Sequence, residues 1–128
     1  MSLDISLVVE DLEDPDYSTD YPEDDEYREI NDTYQVFEIN ITHNLGEMAD
    51  EAGIYKCLWR PEEIGIRQAG QLIQPLSDGL SFLKQYKEKF EKYNPDNGWG
   101  SYDILVKAVY EYLKACKQYP FARIDVCR

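Results

Sequence analysis

Polar and apolar positions alternate at the start of the chain, where "LDISLVV" (3–9) sets Leu3, Ile5 and Leu7 against Asp4 and Ser6. Side chains of a strand point alternately to its two faces, so the stretch predicts a strand. A second alternation occupies "TYQVFEINI" (33–41): Tyr34 and Val36 flank Gln35, then Phe37, Ile39 and Ile41 carry the apolar positions onward. It predicts another strand, an antiparallel neighbour of the first. Between them lies "EDLEDPDYSTDYPEDDEYREIND" (10–32), whose prolines and dense carboxylates oppose regular structure; it is expected to be a long acidic, flexible insertion.

After the second strand the period changes. Thr42 is suited to cap a short helix, and Leu45, Met48, Ala49 and Ala52 follow at the spacing of one buried stripe. Glu47, Asp50 and Glu51 fall on the opposite side, and Gly53 suits a left-handed terminator. "IYKCLWRPEEIGI" (54–66) reads as an irregular bridge with a turn of helix near Pro61. Residues 67–93 carry a second stripe through Leu72, Leu76, Leu80, Leu83, Tyr86 and Phe90, with Pro75 expected to kink or split it. "NPDNGWG" (94–100) stops this helix. Ser101 caps a third, whose face is Tyr102, Leu105, Val106, Val109, Leu113 and Cys116, and "FARIDVC" (121–127) alternates as a last strand. The expected architecture is a single α+β domain over residues 1–128. Its small sheet of about three strands is covered on one face by three helices, which buries every apolar stripe.

Charge sharpens this picture. The formal net charge of the 128 residues is −13. Residues 10–32 hold 12 acids against one base, Arg28, so nearly all the excess sits in one segment and the rest is close to neutral. No general basic footprint exists, and direct nucleic-acid binding is not expected. Apolar runs fall short of the roughly 18–20 residues of a membrane helix, and the start lacks the basic region of a secretory signal. Cys57, Cys116 and Cys127 form no CxxC and are too few for a disulfide framework, which points to a reducing cytoplasm. Their spacing, with a single histidine, fits no zinc pattern, and the acidic segment lacks the ordered calcium-loop pattern, so neither a metal nor a cofactor is expected.

Candidate chemistry centres on "NITHN" (40–44), where a strand gives way to a helix. Free amide groups there favour an anion, and Asn40, Thr42, His43 and Asn44 would surround it, with His43 the one candidate acid–base residue. The bland alternative is that Thr42 only caps and His43 is half exposed. Trp59 and Arg60 could grip an acidic or planar ligand, and Asn97 and Trp99, in a turn with glycines on both sides of the indole, could cover a pocket or plug the core.

The stretches "NITHNLGEMADEAGIYKCLWRP", "NPDNGWGSYDILVKAVYEYLKAC" and "YPFARIDVCR" together resemble a family of small uncharacterised proteins of phage and bacterial genomes that share N-I-T-H-N-L and N-G-W-G motifs. The likeness covers residues 38–128 and leaves out the acidic stretch. It implies no activity or cofactor; it singles out Asn40, Thr42, His43, Asn44, Asn97 and Trp99, and favours a role in host interaction. Three functions stand against one another. The first is a binding module for a small anionic or nucleotide-like ligand, or for a protein partner, around His43. The second is a charge mimic that inhibits a DNA-binding enzyme through residues 10–32. The third is an enzyme dependent on His43.

Overall fold

A computed structural model of the chain describes residues 2–10, 33–96, 98 and 100–128. Strands β1 (Ser2–Glu10), β2 (Thr33–Thr42) and β3 (Arg123–Cys127) form one antiparallel sheet in the order β2-β1-β3. The first strand is therefore central, and the last returns beside it. Register places Leu3 opposite Ile41, Ile5 between Ile39 and Val126, and Leu7 between Phe37 and Ile124. One face is thus apolar, with Leu3, Ile5 and Leu7 fully buried, while Asp4, Ser6, Glu38, Asn40 and Asp125 share the other. Pairing slips between Leu7 and Val8: Leu7 faces Phe37 but Val8 faces Gln35, leaving Val36 as the extra residue of a β-bulge. That bulge explains why the apolar phase of β2 changes after Val36. Glu10 pairs with Thr33, so the strands reach the two ends of the acidic segment, the rest of which lies outside the described residues.

The three helices expected from periodicity are divided further. A 3-10 turn (His43–Leu45) leads into α1 (Gly46–Glu51), and Leu45, Met48, Ala49 and Ala52 are buried as the stripe requires. Gly53, at φ +79°, ends the turn in the left-handed region that a Cβ disfavours. The expected irregular bridge instead contains α2 (Tyr55–Trp59), which buries Cys57, Leu58 and Trp59, followed by a 3-10 turn at Pro61–Ile64. Five residues are too few for a period to be read.

Pro75 neither kinks nor splits its helix. It is the third residue of α3 (Ile73–Gln85), in the first turn, where its missing N–H has no intrahelical acceptor to lose. The break falls at Tyr86, whose backbone (φ −115°, ψ 43°) separates α3 from α4 (Lys87–Glu91). Helix α5 (Tyr102–Gln118) opens as expected, with Ser101 Oγ accepting from the Ile104 amide at 3.3 Å. Asn94 Oδ1 accepts from the Tyr102 amide at 2.7 Å, and the Tyr102 hydroxyl donates to the Leu83 carbonyl at 2.8 Å, tying α5 to the end of α3. Phe37 of β2 stacks on Tyr112 of α5 with ring centroids 5.8 Å apart. The Tyr112 hydroxyl is buried with no hydrogen-bond partner among the described residues.

Cys57 and Cys116 are buried and Cys127 is exposed, all as free thiols. Burial pushes the Cys116 thiol up to about 12 and raises Cys57 as well. A buried thiol that ionises late is a poor nucleophile. Iodoacetamide at pH 8 is therefore expected to label only Cys127 in the native chain and all three in urea, as read by mass spectrometry. The unfolded chain releases the Cys57 and Cys116 protons first. The contribution of Cys116 to stability is thus complete below pH 9 and is lost as the pH climbs toward 12; that of Cys57 falls in the same direction.

Candidate functional site

The strand-to-helix corner is built by Thr42, whose extended backbone ends β2 and whose Oγ1 accepts from the Asn44 amide at 3.3 Å. That amide, expected to point at an anion, is turned toward the cap instead. The turn it opens spans three residues and α1 only six, so little aligned dipole stands behind it.

His43, half-buried, leaves this corner and meets Trp59 of α2. The indole Nε1–H donates to His43 Nδ1 at 2.8 Å. An indole nitrogen can only donate, so Nδ1 must accept and, in the neutral ring, the proton resides on Nε2. No described residue accepts from Nε2. The imidazole therefore presents a donor outward. General-base catalysis there would require a tautomer exchange that breaks the indole bond.

Trp59 is 3% exposed and stacks on Tyr55, one helical turn earlier, at 5.2 Å and 9°. Arg60 follows Trp59 and bonds Glu63 at 3.2 Å; the Tyr55 hydroxyl and then Glu63 raise its pKa above the ordinary guanidinium value. His43, Trp59, Tyr55 and Arg60 thus form one continuous series of contacts. Three of them were candidates in the sequence. Tyr55 was not, although two aromatics at i and i+4 on one helix are a recognisable stacking pair.

The remaining candidates divide. Asn40 belongs to the polar sheet face, where its Nδ2 donates to Asp4 Oδ1 at 2.6 Å and Ser2 Oγ at 2.8 Å. It also lines a groove of about 500 Å³ between β2 and α5, with Phe37, Ile39 and Ile104. Asn44 is exposed beside the cap. Asn97 and Trp99 lie outside the described residues. Their neighbour Gly100, at φ +99°, packs so closely that a Cβ would come within 2.8 Å of Thr42 Cγ2, which brings the end of that turn to the corner. No group of three or more His, Cys, Asp or Glu able to hold a metal occurs among the described residues, and no described helix is long and apolar enough to cross a membrane. Comparison with known proteins finds no matching family model, no matching curated protein and no matching solved structure.

Proposed function

We propose that the chain is a small cytoplasmic binding module, akin to the phage and bacterial proteins its motifs resemble, that receives an anionic ligand at the His43 corner. The observation that carries this reading is the Trp59–His43 hydrogen bond, which turns the imidazole into a fixed donor. A fixed donor suits a phosphate or carboxylate oxygen. Arg60 supplies positive charge from the same series of contacts, and the stacked Tyr55 and Trp59 rings hold the imidazole in place. In this reading the helices cover a single sheet face and leave the corner open. A second reading, imitation of a phosphate backbone by residues 10–32, draws on the concentration of 12 acids in a segment that leaves the sheet at one point.

The test combines a ligand screen with a tautomer measurement. Thermal-shift screening over inorganic phosphate, nucleotides and phosphorylated metabolites is expected to raise the melting temperature of the native chain. The shift should be lost in His43→Ala. Nitrogen-15 NMR of the single histidine should show the Nε2–H form. A flat screen, or a proton on Nδ1, would refute the reading.

A further inference from the structure

Three of the four arginines of the described chain lie together. Arg67, Arg123 and Arg128 line one cleft of about 380 Å³ over a floor of Ile66, Ile124 and Val126. The lysines lie elsewhere, which matters because only guanidinium groups meet carboxylates with two parallel hydrogen bonds. The cleft exists because the chain ahead of α3 runs beside β3. The Ile124 amide donates to the Arg67 carbonyl at 3.0 Å, and Gln68 bridges to Arg123. This pairing extends no further along β3 than Ile124. In a strand, alternate residues present their N–H and C=O to the same side, so Val126 offers both groups toward the cleft. They have no backbone partner among the described residues.

The three guanidinium groups differ in commitment. Arg123 is held by Asp125 at 3.1 and 3.3 Å. Arg128 bonds Glu62 at 3.1 Å and the Trp59 carbonyl at 2.8 Å. A hydrogen bond from the Glu62 amide itself, and then Arg128, hold the Glu62 carboxyl below the usual carboxylate range. Arg67 makes no ion pair among the described residues and is exposed.

We infer that this cleft binds an extended acidic peptide, which adds as a strand beside Val126 and continues the edge that residues 66–68 begin to cover. Main-chain bonds to Val126 supply affinity, the apolar floor takes alternate side chains, and Arg67 receives a carboxylate. Arg128 exchanges Glu62 for a second carboxylate while keeping its hold on Trp59. A small anion would use the arginines and leave both the floor and the Val126 groups unmet. The proposal does not rest on the anion reading of the His43 corner.

Fluorescence anisotropy with the full chain and a labelled peptide of alternating glutamate and valine tests this. Binding should saturate and weaken with salt. Arg67→Ala and Val126→Pro should each weaken it by about tenfold or more. Proline at position 126 removes an outward N–H and spares the bonds to β1, so that variant should keep the native circular dichroism, with a melting temperature lowered by the lost packing of Val126 against the core. A glutamine–valine peptide should bind at least about tenfold more weakly. Equal binding of the two peptides, or indifference to both substitutions, overturns the proposal. Displacement by millimolar inorganic phosphate together with unchanged binding in Val126→Pro also overturns it, in favour of a small-anion cleft.

Discussion

Replacing Trp59 with alanine is expected to destabilise the fold by about 3–5 kcal/mol, the usual range for removing a large buried aromatic. Against a total of roughly 5–15 kcal/mol for a domain of this kind, the variant stands near the limit of folding. Three losses coincide at this residue. The indole is 3% exposed, so its removal leaves a cavity between α2 and the corner. Tyr55 loses the ring on which it stacks. His43 Nδ1 loses its only donor among the described residues. Trp59→Phe separates these contributions, because a phenyl ring retains the stack and most of the volume but cannot donate. Its cost should be about 1–2 kcal/mol, mainly from the unmet imidazole nitrogen. Urea denaturation followed by far-ultraviolet circular dichroism measures both variants. Equal costs for the two would mean that the hydrogen bond, and not packing, dominates.

Gly79→Ala is expected to destabilise by about 1–2 kcal/mol, although alanine is the better helix former by about 1 kcal/mol. Gly79 is buried in α3, and a Cβ there would come within 2.3 Å of Ile54 Cγ2. That methyl belongs to a β-branched side chain, itself 2% exposed, whose χ1 freedom is restricted. Helix α3 and the start of α2 would have to part. Ile54→Ala removes the opposing methyl, so Gly79→Ala should cost nothing, or stabilise, in that background. The double-mutant cycle from four denaturation curves gives the coupling. Additive effects would show that the close approach is absent in solution.

How far the fold is legible in the sequence depends on the range of the interactions involved. Leu3, Ile5 and Leu7 read as one face of a strand because alternation is local. Thr42, Gly53 and Ser101 read as helix boundaries because each acts on amides within a few residues. The bulge was visible only as a change of apolar phase after Val36, and its cause is the partner strand. The break at Tyr86 has neither glycine nor proline to announce it; it lies where α4 turns so that Phe90 can be buried beside Phe82, 5.5 Å between centroids. At the candidate site, His43 and Trp59 were each conspicuous as rare residues. Their hydrogen bond spans 16 positions and depends on α2 folding back. Asn40 looked like a neighbour of His43, yet strand alternation carries it to the polar sheet face, where it bonds Ser2 and Asp4. The arginine cleft was wholly hidden, since Arg67 and Arg123 meet only through the pairing of a connecting segment with β3.

The extra residue at Val36 also bears on how β2 behaves in a crowded cell. A ten-residue strand at the border of a sheet is a template on which a stray polypeptide can zip up and seed fibrils. The bulge puts its main-chain donors and acceptors out of step partway along and bends the ribbon, so no regular strand can match the whole length. Excising that one residue would straighten the border and expose an uninterrupted ladder to colliding chains.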